Sequence, residues 1–142
     1  MRNVIIKKNL KKLSNSTQEI LDKLLSDSIL EMSYRKRIDK DILERIVLVY
    51  LSLFEDKNLL EYEELNASER NILCRIISKG IASIYVDDEY ITKNNSKDKL
   101  IIIDDLIGLL CLLTNFNRST IKRLVIRDIK IYFINGWKWD FI

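Results

Sequence analysis

The chain has no histidine and no proline, and only three glycines and two cysteines in 142 residues. Without histidine it lacks the usual general base, the Ser–His and Cys–His nucleophile pairs, and every His-containing metal site. Gly80, Gly108 and Gly136 stand singly. No glycine-rich loop can bring backbone amides against a phosphate, which excludes the nucleotide-binding motifs. Cys74 and Cys111 both fall inside apolar helical patterns and read as reduced thiols acting as small hydrophobes, as expected in a reducing compartment. Catalysis would have to rest on carboxylates, Lys, Tyr or Ser. The concentrated acids, Glu63-Glu64, Asp87-Asp88-Glu89 and Asp104-Asp105, are neighbours in sequence, and neighbours on a helix diverge by about 100° instead of converging on one substrate. They read as solvated faces or caps, and no calcium-loop spacing is present. The expectation is a non-enzymatic protein with no cofactor and no metal.

What is present points to a globular chain. Hydrophobic content of 47% with 32% charge rules out wholesale disorder. The length predicts one helical domain over 1–142, with 1–15 as a basic N-terminal segment free to be flexible. The net charge of +3 is too small to imply a nucleic-acid partner by itself. The N-terminus, with only Val4-Ile5-Ile6 as an apolar run, is no secretory signal, so the expected location is the cytoplasm. The most apolar stretch is Leu100–Phe116, LIIIDDLIGLLCLLTNF. Asp104 and Asp105 argue against a membrane span, because each costs ~3 kcal/mol at a bilayer centre. A helix hydrophobic all round belongs in the middle of a bundle, and this one would run ~25 Å. A strand followed by a shorter helix from Asp104 is the rival, given the β-branched Ile101-Ile102-Ile103. The two acids are expected to mark the first helical turn and to find partners.

In chain order, Arg2, Lys7, Lys8, Lys11 and Lys12 stand without an acid over residues 1–13. Ser16-Thr17-Gln18-Glu19 has the capping-box form and opens a helix with Ile20, Leu24, Leu25 and Met32 on one side. Ser33–Arg37 is a polar connector. A second helix starts near Asp39–Asp41 and shows a wide stripe of Ile42, Leu43, Ile46, Val47, Tyr50, Leu51 and Phe54. Glu55, Asp56, Glu61, Glu63, Glu64 and Glu69 read as a solvated connector. Asn66–Glu69 opens a third helix with Ile72, Leu73, Ile76, Ile77, Ile81 and Ile84, on whose apolar face Gly80 either admits a close neighbour or ends the helix. Residues 87–99 read as the one long loop. A last helix carries Ile121, Leu124, Val125, Ile129, Tyr132 and Phe133 inward, with Arg118, Lys122, Arg123, Arg127 and Lys130 on the other face, and stops at Asn135-Gly136. The tail holds both tryptophans, Trp137 and Trp139. The fold class is therefore all-α: a compact bundle of five to six or more helices around the central hydrophobic helix.

The runs Asp105-Leu106-Ile107-Gly108-Leu109-Leu110-Cys111-Leu112-Leu113 and Arg127-Asp128-Ile129-Lys130-Ile131-Tyr132-Phe133-Ile134-Asn135, joined by a basic turn, resemble the C-terminal half of the poxvirus Bcl-2-like proteins. There a buried helix with an Ile-Gly-hydrophobic run precedes an amphipathic helix. The heavy use of Ile, Lys and Asn suits an A/T-rich genome. The resemblance implies a non-enzymatic viral virulence factor in the host cytoplasm that binds host signalling proteins, with a homodimer among the arrangements it allows. Family members antagonise innate immune signalling of the NF-kappa-B type, or inhibit apoptosis by holding a death-promoting amphipathic helix in a groove. The chain lacks the Asn-Trp-Gly-Arg run and the C-terminal anchor of the apoptotic branch. Asn135-Gly136-Trp137 is only similar to the Asn-Gly-Gly-Trp element of cellular relatives. The immune-signalling branch is therefore the expectation and apoptosis inhibition the alternative. The expected partner-binding residues are Arg118, Lys122, Arg123, Arg127, Trp137 and Trp139, on an interface-favoured helix and tail. Outside the family, the rival is a helical nucleic-acid binder that sets the same basic residues on phosphates.

Overall fold

The computed structural model describes residues 10–34, 39–54 and 66–135. The segment 1–9, the basic residues of 35–37, the acids of 55–64, Gly136 and both tryptophans lie outside them. The described chain forms five α-helices: α1 (Asn15–Ser33), α2 (Lys40–Phe54), α3 (Ala67–Asp87), α4 (Lys99–Thr114) and α5 (Arg118–Asn135). A single 3-10 turn, Ser96–Asp98, precedes α4, and no strand occurs among the described residues. The all-helical class read from the sequence is what forms, and the strand at 101–103 does not.

Each helix start has a local cause. Ser14, not Ser16, caps α1: its hydroxyl accepts the Thr17 amide at 3.2 Å. The reciprocal half of a box does not form: Gln18 Nε2 donates to the Leu13 carbonyl at 2.9 Å, and the Ser14 amide goes to Asp105 at 3.4 Å. The expected Ser16 cap is thus replaced by Ser14, and the Ser16 hydroxyl donates to Asp98 of the 3-10 turn. Leu10 is buried in the core and Leu13 packs against it, so the described end of the basic segment is part of the fold. At α3 the expected cap is in place: Asn66 Oδ1 accepts the Glu69 amide at 2.9 Å. Asn117 does the same for α5, accepting the Thr120 amide at 2.8 Å. Asp88 closes α3 and Asn115 closes α4, both in the left-handed conformation that short polar side chains tolerate.

The organising helix is α3, not the stretch 100–116. Ala67–Asp87 packs against each of the four other helices. Its Ile76, Ile77, Ile81 and Ile84 are buried, each worth roughly 1.5–3 kcal/mol by area removed from water. Gly80 is the point of closest approach. A Cβ placed there would lie 2.3 Å from Leu24 Cδ2, so the absent side chain is what lets α1 cross α3 at this depth. Gly80 therefore acts within the helix and does not end it.

The most apolar helix, α4, does offer a surface face. Leu106, Ile107, Leu109, Leu110 and Leu113 are buried, but Leu100 is 76% exposed and Ile101 half exposed. Its length is Lys99–Thr114, which leaves Phe116 outside the helix and exposed. The correction has a simple reason. Apolar content at every position does not specify coverage, and α4 packs mainly on α3, α5 and α1. Asp104 and Asp105 sit past its first turn, which starts at Lys99, and both have partners. Asp104 holds the Arg118 guanidinium at 2.6 Å, and Asp105 accepts the Thr17 hydroxyl at 2.8 Å and the Ser14 amide at 3.4 Å. The second helix is less buried than its stripe suggests. Ile46 and Val49 are inside, and the other stripe positions are only partly covered.

The segment 87–99 is shorter as a loop than expected, because α3 runs to Asp87 and the 3-10 turn begins at Ser96. It is also tied down. The Tyr90 hydroxyl donates to Asp27 at 2.7 Å, Asn95 is buried with its Oδ1 on the Thr92 amide, and Lys99 binds both Asp88 and the Tyr85 carbonyl.

Candidate functional site: the groove between α3 and α5

The site begins with two helices that run the same way. The Ser78 hydroxyl donates to Asp128, and nine residues further along α3 Asp87 accepts the Tyr132 hydroxyl at 2.6 Å. Between the first turns of this pair the walls part and leave a groove of about 510 Å³. Its apolar surface comes from Ile72 on α3, Ile121, Leu124 and Val125 on α5, and Leu110 on α4. Ile42 of α2 and Thr114 of α4 also line it. Polar groups stand at its edges: Ser68, Asn71 and Arg75 on the α3 side, Arg127 and Asp128 on the α5 side. The volume is that of an ordinary ligand or peptide site, and apolar and polar residues share its lining.

Asp128 is held by Ser78 and lies 3.7 Å from the mostly exposed guanidinium of Arg127. Cys74, which also lines the groove, has its thiol pushed up to about 11 by burial, only partly countered by Arg70. It stays protonated and is a poor nucleophile near neutral pH. Among the described residues, no group of three or more Cys, Asp or Glu could hold a metal ion.

One wall is buttressed by a group misread from sequence. Glu69, expected in a solvated connector, is 1% exposed and bridges to Arg45 of α2 at 3.2 Å. The ion pair ties α2 to the first turn of α3, beside Ser68 and Ile72. A carboxylate in that turn also faces the positive end of the helix dipole. The one sequence signal was the N-cap spacing from Asn66, which places Glu69 at the helix start without saying what covers it.

The residues expected to bind a partner divide between two surroundings. Arg118 folds back along α4, donating to the Asp104 carbonyl at 3.0 Å and its carboxylate at 2.6 Å. That hydrogen bond holds its pKa above the ordinary arginine value. Its side chain passes Gly108, where an added Cβ would meet Arg118 Nη1 at an ordinary 3.5 Å. Arg127 stands at the groove edge. Lys122 and Arg123 are exposed on the outward side of α5. Trp137 and Trp139 lie outside the described residues. Phe133, placed inward by the periodicity, is 78% exposed, because α3 ends near Tyr132 and nothing described covers the last turn of α5. The groove itself was not read from the sequence. Its residues come from four helices, and their juxtaposition is a property of the packing.

Fold and site define an all-helical bundle with an open groove of mixed apolar and polar lining. Compared with known proteins, the chain matches no family model, and neither a curated protein nor a solved structure is detectably similar to it.

Proposed function

We propose that the chain is a non-enzymatic viral protein of the poxvirus Bcl-2-like kind, which acts in the host cytoplasm by binding host signalling proteins and antagonising innate immune signalling of the NF-kappa-B type. The observation that carries the binding part is the α3–α5 groove. Its volume is about 510 Å³, Ile72, Leu124 and Val125 give it apolar surface, and Arg127 is part of its lining. Such a surface suits a segment with apolar side chains and an acidic residue that the exposed guanidinium of Arg127 can meet. The immune and viral parts rest on the motif resemblance in the last two helices and on the absence of the Asn-Trp-Gly-Arg run. Of the basic residues expected from the sequence to bind a partner, Arg127 is the one that lines this groove.

The second reading is apoptosis inhibition. A groove between two helices is the type of surface that takes an amphipathic helix, and this favours keeping it. A nucleic-acid role is weaker. Arg118 is engaged with Asp104, and the groove beside the basic helix has no use for a phosphate backbone.

The test is a pair of assays in host cells expressing the chain. One is an NF-kappa-B reporter after an inflammatory stimulus; the other is survival after a death stimulus. Suppression of the reporter, lost when Ile72 and Leu124 on the groove walls are changed to glutamate, is the expected result. Survival without reporter suppression selects the apoptotic reading. A salt-dependent shift of mixed DNA and RNA probes, with neither cellular effect, overturns both.

A further inference from the structure

The outward side of α5 is a second surface, distinct from the groove. It combines cations with large apolar side chains that nothing described covers. Lys122, Ile126, Lys130 and Phe133 fall within an arc of roughly 80° at 100° per residue, and Arg123 and Ile134 extend it to roughly 120°. Ile121 and Val125, which are buried, point the opposite way. Ile126 is 51% exposed, and Phe133 and Ile134 are 78% exposed. Lys122, Arg123 and Lys130 have no ion pair among the described residues, and the only acid of α5, Asp128, is turned to Ser78. The face spans roughly 18 Å from Lys122 to Ile134 at 1.5 Å per residue.

We infer that this face of α5 docks on an anionic membrane surface, with its cations among the headgroups and Ile126, Phe133 and Ile134 reaching the acyl boundary. Charge complementarity supplies the first argument. Three cations with no opposing acid favour a negative surface, and a lipid bilayer presents one as a plane. The shape of the face supplies the second. It is one convex helix side without a cavity, so it needs no concave partner. The apolar residues supply the third: isoleucines interleaved with lysines gain nothing from a phosphodiester backbone, but gain from burial at a headgroup–acyl boundary. A second copy of the chain is disfavoured, since an isologous contact would set these cations against each other. The sequence then continues into Trp137-Lys138-Trp139, residue types favoured at membrane interfaces. No single described helix is long and apolar enough to cross a membrane. The contact stands whether or not the groove holds a signalling protein.

The experiment is co-sedimentation of the full chain with vesicles of phosphatidylcholine alone and of phosphatidylcholine with about a third phosphatidylserine, at low and high salt. The expected result is binding to the phosphatidylserine vesicles only, weakening as salt rises. Lys122→Gln with Lys130→Gln should reduce partitioning roughly 25-fold, at about five-fold per cation. Phe133→Ser with Ile134→Ser should weaken it at both salt levels, with an unchanged far-ultraviolet circular dichroism spectrum, since both side chains are exposed. Equal binding to both vesicle types, binding to neither, or binding indifferent to both variant pairs overturns the inference. So does retention by heparin or duplex DNA without retention by vesicles, which assigns the face to a different polyanion.

Discussion

Replacing Gly80 by alanine tests the close crossing of α1 and α3. The added Cβ would lie 2.3 Å from Leu24 Cδ2, 2.9 Å from Cδ1 and 3.2 Å from Cγ. Carbon atoms in contact sit about 3.5–4.0 Å apart, so the nearest atom must retreat by more than ~1 Å. Leu24 cannot swing into solvent, because it is buried in the core. Overpacking of this kind costs ~1–3 kcal/mol, and alanine returns up to ~1 kcal/mol through its better helix propensity. The net expectation is a loss of ~1–2 kcal/mol, or a melting temperature lower by roughly 3–8 °C for a domain of this size. Gly108→Ala is the matched control. Its only close neighbour would be Arg118 Nη1 at 3.5 Å, so the propensity gain is unopposed and the melting temperature should hold or rise. Leu24→Ala alone should cost ~2–5 kcal/mol by opening a cavity. Combined with Gly80→Ala it should cost clearly less than the sum, since the new methyl fills part of the space vacated. Thermal or urea unfolding of the four proteins decides the matter. If Gly80→Ala stabilises as Gly108→Ala does, or if the double variant is additive, α1 and α3 do not cross as tightly as a 2.3 Å approach requires.

Three further outcomes are expected from other parts of the fold. Arg45→Met should destabilise by ~3–5 kcal/mol in chemical unfolding, because it strands the Glu69 carboxylate in the interior, whereas Arg45→Met with Glu69→Leu should recover most of that loss. Leu110→Ala, beneath the groove, should cost ~2–5 kcal/mol; a change under 1 kcal/mol would mean that the floor is not part of the core. Stability should fall in alkali. The Cys74 thiol is raised from 9.0 to about 11, and the Tyr132 hydroxyl from 10.0 to about 12, in both cases chiefly by desolvation. The unfolded chain therefore loses protons first, so the stabilisation is complete below pH 9 and declines as pH rises through 9–12. Cys74→Ala should flatten the lower part of that decline in unfolding curves taken at successive pH values.

The local elements were legible from the order of residues. Apolar spacing along 20–32 and 72–84 marked helices whose Ile20, Leu24, Ile76 and Ile81 are buried as expected. Asn66 announced its helix through its own side chain, whereas Gly80, which by sequence could admit a close neighbour or end the helix, was settled by the packing of Leu24 against it. These signals are local because each is read against the helix's own axis or its own first turn. What lies across from a face is not local. Leu100 and Leu110 look alike in sequence, yet one is open and the other is covered, because α3 and α5 reach only one of them. Glu69 looked like one more acid in an acidic run until Arg45 of another helix was brought within 3.2 Å of it. Arg118 looked like a free cation of a basic face until the turn after α4 folded it back onto Asp104. The groove is the extreme case, since four helices contribute to it and no stretch of the chain contains it. Periodicity tells a helix which side to bury; only the packing decides against what, and that choice made both the ion pairs and the candidate site.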